Sequence, residues 1–89
     1  MIKLTRTGVG VVTHPGAIRD GDGSSLLPIQ AESGGNTFRL VGRVSPEAPW
    51  FEIKAPAAAN FLEAFSWVPY IQLEVTSGTG AVTVWIGEK

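Results

Sequence analysis

The chain contains no cysteine, which excludes both a disulfide staple and a thiolate metal site. Small secreted domains are often cross-linked, so this absence favours an intracellular site of folding. Charge is scarce too. Charged residues make up 17% of the sequence, below the roughly 25% usual for soluble domains. Seven basic and eight acidic side chains nearly cancel, which is too little to build the basic face that nucleic-acid binding requires. Long hydrophobic runs are missing as well. The most apolar stretch, 55–71, is interrupted by Pro56, Asn60, Glu63 and Pro69, against a membrane span. Met1 to Arg6 is followed by no apolar core of a signal peptide. The expectation is a soluble protein made in a cytoplasm, with neither nucleic acid nor membrane as partner.

Catalytic equipment is equally thin. His14, the one histidine, precedes Pro15 in a turn-like segment, with no neighbour in sequence to orient it as a general base. Asp20, Asp22 and Ser24 alternate with glycines like the opening of a calcium loop, but the sixth position is Ser25 and the twelfth is Ala31. The glycine and the bidentate glutamate of such loops are therefore lacking, and an acidic turn is the simpler reading. The glycines at 8, 10, 78 and 80 come without the lysine of a phosphate-binding loop. Glu47, Glu52, Glu63 and Glu74 are scattered rather than paired. No enzyme, cofactor or metal is expected.

What the sequence has is alternation. Eighty-nine residues support one small, marginally stable domain, which assembly with other subunits would help. Eleven glycines and six prolines fall between short runs of period two. In Thr37 to Val44, Phe38, Leu40 and Val44 share one face, opposite Thr37, Arg39 and Arg43. Gly42 breaks the inward face and marks a bulge or a close backbone approach. Ile71, Leu73 and Val75 alternate with polar residues, as do Val82, Val84 and Ile86. Because Ser77 to Gly80 joins these two runs, they are expected to form a hairpin. Gly8 to Thr13, Leu26 to Ala31 and Trp50 to Lys54 are further strands. Residues 57–66 fit a short helix or a strand, with strand or loop preferred because two isolated helical turns are poorly stable.

Six to seven short strands predict an all-β fold, a small antiparallel β-sandwich or jelly-roll-like barrel. Residues 26–89 are expected to form the sandwich, and residues 1–25 an N-terminal arm or loosely packed segment. The pleat sends Trp85 and Thr83 outward if Val82, Val84 and Ile86 point inward, and Tyr70 lies on the outward register of the preceding strand. With Trp50, these residues are the candidate interface, either with another subunit or with the chain's own N-terminal segment.

Two stretches carry a family resemblance. Phe38 to Trp50 reads F-x-x-x-G-x-x-S followed by a tryptophan strand, and Tyr70 to Ile86 contains V-T-S-G-T-G-x-V-T-V. In these, residues 26–87 resemble the small β-sandwich structural proteins of tailed bacteriophages, including capsid decoration (cement) proteins. The resemblance implies a virion surface or head–tail component, and the expectation drawn from it is a decoration protein at the capsid surface that contacts the major capsid protein or other virion subunits and forms a homo-oligomer. The alternative is a carbohydrate- or receptor-binding module of a phage tail or fibre. It carries over no site residues, because its motifs are strand and turn patterns.

Overall fold

A computed structural model describes residues 2–19 and 26–87 of the chain. Among them are eight strands and no helix: β1 (Ile2–Thr7), β2 (Gly10–Thr13), β3 (Leu26–Glu32), β4 (Thr37–Arg43), β5 (Phe51–Ala57), β6 (Phe61–Ser66), β7 (Tyr70–Ser77) and β8 (Ala81–Ile86). They form two antiparallel four-stranded sheets. Sheet A has the order β1-β8-β3-β6 and sheet B the order β2-β7-β4-β5. The pairs β1–β8, β2–β7, β3–β6 and β4–β5 are the rungs of one long antiparallel ribbon. Folded over on itself, the ribbon gains two further pairings, β3–β8 and β4–β7. The result is a jelly-roll sandwich.

Period-two alternation fills the space between the sheets. Ile2 and Leu4, Leu27 and Ile29, and Val82, Val84 and Ile86 project from sheet A. Phe38, Leu40, Ile71, Leu73 and Val75 meet them from sheet B. Fully burying one such side chain contributes about 1.5–3 kcal/mol. The ambiguous segment 57–66 resolves largely as β6, whose Phe61 stacks on Phe38 at 5.8 Å between ring centroids and meets Phe65 edge-on at 6.1 Å.

Three expectations are corrected. The first is the hairpin at Ser77 to Gly80. β7 lies in sheet B and β8 in sheet A, so residues 78–80 form an arch between sheets. Alternation specifies which side chains go inward, and both strands satisfy it, but it does not specify the neighbouring strand. The second is the N-terminal arm. β1 pairs along its whole length with β8, β2 pairs with β7, and Ile2, Leu4 and Ile18 are buried. The described part of residues 1–25 is thus built into both sheets, because its apolar residues complete the core. The third is Val44, assigned inward but 72% exposed, since β4 ends at Arg43 before the chain turns. Val41, on the outward register, is 1% exposed yet lies outside the central cluster; β4 and β5 shift register beside it.

Four interstrand connections gather at one end of the sandwich, those at 8–9, 33–36, 58–60 and 78–80. Backbone and amide groups tie them together: the Gly8 N–H donates to the Gly80 carbonyl at 3.0 Å, and the Ser33 N–H to Asn60 Oδ1 at 2.9 Å. At the other end, Ile18 plugs the core from the β2–β3 connection. Its N–H donates to the Pro69 carbonyl at 2.7 Å, and its own carbonyl accepts from Trp67 Nε1 at 2.9 Å.

Candidate functional site

The two outer faces of the sandwich differ in character. On sheet B a polar chain crosses all four strands. Thr13 Oγ1 donates to Gln72 Oε1 at 2.9 Å, Gln72 Nε2 to Glu74 Oε2 at 3.2 Å, and Arg39 Nε to Glu74 Oε1 at 3.0 Å. Arg39 Nη1 then reaches Glu52 Oε1 at 3.3 Å. Hydrogen bonds first to Glu74 and then to Glu52 raise the Arg39 pKa above its ordinary value. A face so internally satisfied and exposed to solvent is a hydrated surface.

Sheet A presents the opposite. Its outward register carries Lys3 and Thr5 on β1, Thr83 and Trp85 on β8, Leu26, Pro28, Gln30 and Glu32 on β3, and Leu62 and Ala64 on β6. Lys3 and Glu32 are the ionisable residues of that set. Strand register aligns Lys3, Trp85, Gln30 and Leu62 in one row across the sheet. The Lys3 ammonium lies 5.8 Å from the Trp85 ring centroid, a contact worth roughly 0.5–1 kcal/mol at an exposed site. Leu62 is 71% exposed at the edge of the row. Thr5, Thr83 and Glu32 form the next row.

The four candidate residues therefore do not form one patch. Trp85 and Thr83 share the outer face of sheet A. Tyr70 and Trp50 lie at an end of sheet B, where both rings face Arg43. Their separation follows from the arch: once β7 and β8 belong to opposite sheets, their outward residues point to opposite sides of the molecule. Sequence reasoning missed Lys3, Gln30 and Leu62, whose outward alternation was readable but whose alignment with Trp85 depends on strand order.

His14 is half-buried, with its backbone N–H donating to the Ile71 carbonyl at 3.1 Å. The Asp20–Ser24 motif lies outside the described residues. Among those described, no cluster of three or more His, Cys, Asp or Glu side chains is placed to hold a metal ion. Comparison with protein families, curated proteins and solved structures finds no match.

Proposed function

We propose that this chain is a non-catalytic virion structural protein, a decoration protein that binds the outside of a phage head and stabilises it by subunit contacts. The observation that carries this reading is the charge-poor outer face of sheet A, centred on Trp85 and flanked by Leu62, Gln30 and Thr83. Interfaces are depleted of charge at their cores and enriched in tryptophan, and sheet B shows what a hydrated face of the same protein looks like. The jelly roll is a fold of viral capsid domains as well as lectins, and the strand patterns at 38–50 and 70–86 resemble phage decoration proteins.

The test is light scattering on the purified protein, followed by co-sedimentation with phage heads lacking it. A small stable oligomer that saturates the heads, with binding lost in Trp85→Ala, is the expected result. A monomer indifferent to heads overturns the proposal.

One observation favours a second reading. A half-exposed indole beside amide and hydroxyl side chains, here Gln30 and Thr83, suits the apolar face of a sugar ring. Glycan binding by the intact chain, abolished in Trp85→Ala without any binding to heads, would select this carbohydrate-binding role.

A further inference from the structure

The polar chain on the outer face of sheet B leaves one charge out. Arg39 engages Glu74 and Glu52. Four residues further along β4, Arg43 has no carboxylate partner among the described residues. Its guanidinium carbon lies 4.1 Å from the Trp50 ring centroid and 6.0 Å from that of Tyr70. Nε is buried without a hydrogen-bond partner, so the two Nη groups are what Arg43 offers to solvent. A guanidinium held against aromatic rings keeps its full charge, and its planar fork matches an oxyanion.

Strand register extends the site. Tyr70 pairs with Arg43, and Trp50 directly precedes Phe51, the partner of Gly42. Tyr70, Arg43 and Trp50 are thus the last row of this face. The next row is Gln72, Val41 and Glu52, roughly 6.6 Å further along the strands, with neighbours in a row roughly 4.8 Å apart. A cation and two half-buried rings therefore stand one step from an amide and a carboxylate. Arg39 neutralises Glu52 through Oε1, which leaves Oε2 to accept from a hydroxyl.

The character of the surface restricts its occupant. Gly42, Phe51 and Ile53 alternate with Arg43, Trp50 and Glu52, and they line an apolar groove with Val68 on the other side of the pleat. On the Arg43 side, Val41 in the middle of the second row is only 1% exposed, so the space between the rows is filled and offers no slot for an apolar side chain. Rings, an unneutralised fork and hydrogen-bonding groups on a hydrated face suit a polyol that carries negative charge.

We propose that Arg43, Trp50 and Tyr70 form a binding site for an acidic carbohydrate, a sugar bearing a carboxylate or a sulfate. The oxyanion accepts hydrogen bonds from the Arg43 Nη groups, the C–H face of the sugar lies against the Tyr70 ring, and its hydroxyls reach Gln72 and Glu52. The site is on the sheet opposite Trp85 and does not depend on either role proposed for that residue.

NMR titration of the full chain with glucuronate tetrasaccharides, their carboxyl-reduced counterparts and sulfated neutral tetrasaccharides tests this. The acidic sugars should shift the amides of Arg43, Tyr70 and Gln72 and the Trp50 indole N–H, and the comparison of the two acidic sets shows which oxyanion is preferred. Arg43→Gln should weaken binding roughly tenfold or more, as loss of a charge-assisted hydrogen bond does. Arg43→Lys should retain part of it, and Trp85→Ala all of it. Unfolding midpoints of the variants keep lost binding distinct from lost fold. Absence of binding, equal binding of the carboxyl-reduced sugars, or full affinity in Arg43→Gln overturns the proposal. So do shifts centred on Trp85, which would place the sugar on sheet A, and tighter binding of short acidic peptides at Arg43, which would make the ligand a protein.

Discussion

The side-chain amide of Asn36 takes both backbone groups of Gly80: Nδ2 donates to the Gly80 carbonyl at 2.8 Å, and the Gly80 N–H donates to Oδ1 at 2.9 Å. One side chain thus imitates a neighbouring strand. It joins the β3–β4 arch to the β7–β8 arch, while its own N–H is held by the Ser33 carbonyl at 2.9 Å. Among the described residues Asn36 is one of the few buried polar ones, and buried polar groups persist where they are hydrogen-bonded.

Replacing Asn36 with Ala should therefore cost about 2–4 kcal/mol, since two partly buried backbone groups lose their partners together. Asn36→Asp keeps the acceptor but sets a carboxylate against the Gly80 carbonyl, and should be at least as damaging. Urea unfolding measures both. A loss below about 0.5 kcal/mol for the alanine variant would mean that water replaces the amide.

Val84 and Trp85 are adjacent in β8 but face opposite ways. Val84→Asp places an unpaired charge at a fully buried position and should cost more than about 4 kcal/mol, enough to unfold much of a small domain. Trp85→Ala should cost about 1 kcal/mol and leave the isolated chain folded. Circular dichroism melts of the two variants check this, and an unfolded Trp85→Ala chain would contradict an outer-face role for that residue.

Gly34 and Gly35 both have positive φ, 57° and 85°. Alanine at either position meets the left-handed backbone penalty of about 1–2 kcal/mol. Only at Gly34 would its Cβ also collide with the Ala81 carbonyl oxygen; at Gly35 the space is open. Gly34→Ala is expected to lower the melting temperature clearly more than Gly35→Ala. Equal shifts would show that the two arches separate without cost.

Lys54 Nζ on β5 meets Glu63 Oε1 on β6 at 2.6 Å, linking edge strands of opposite sheets. Lys54 also lies 4.7 Å from the Phe61 ring centroid. A double-mutant cycle with Lys54→Met and Glu63→Gln should yield a coupling of roughly 0.2–1 kcal/mol, falling as salt is added. A larger, salt-insensitive coupling would mean the pair is shielded from solvent.

The sequence by itself determined the all-β class and, strand by strand, most of the inward set. Successive side chains on a pleat alternate sides, so Leu73, Val75, Val82 and Val84 were legible as core without any partner being known. It also placed Trp85 outward. Only the tertiary structure decided which strands share a sheet. A short glycine-containing connection serves a hairpin or an arch equally well, and here contacts distant in sequence, such as those of Asn36 with Gly80, accompany the arch. That choice separated Trp85 from Tyr70, brought residues 2–13 into the sandwich, aligned Lys3, Gln30 and Leu62 with Trp85, and set Arg43 near the rings of Trp50 and Tyr70. Burial is a local property of alternation, whereas adjacency depends on the whole chain.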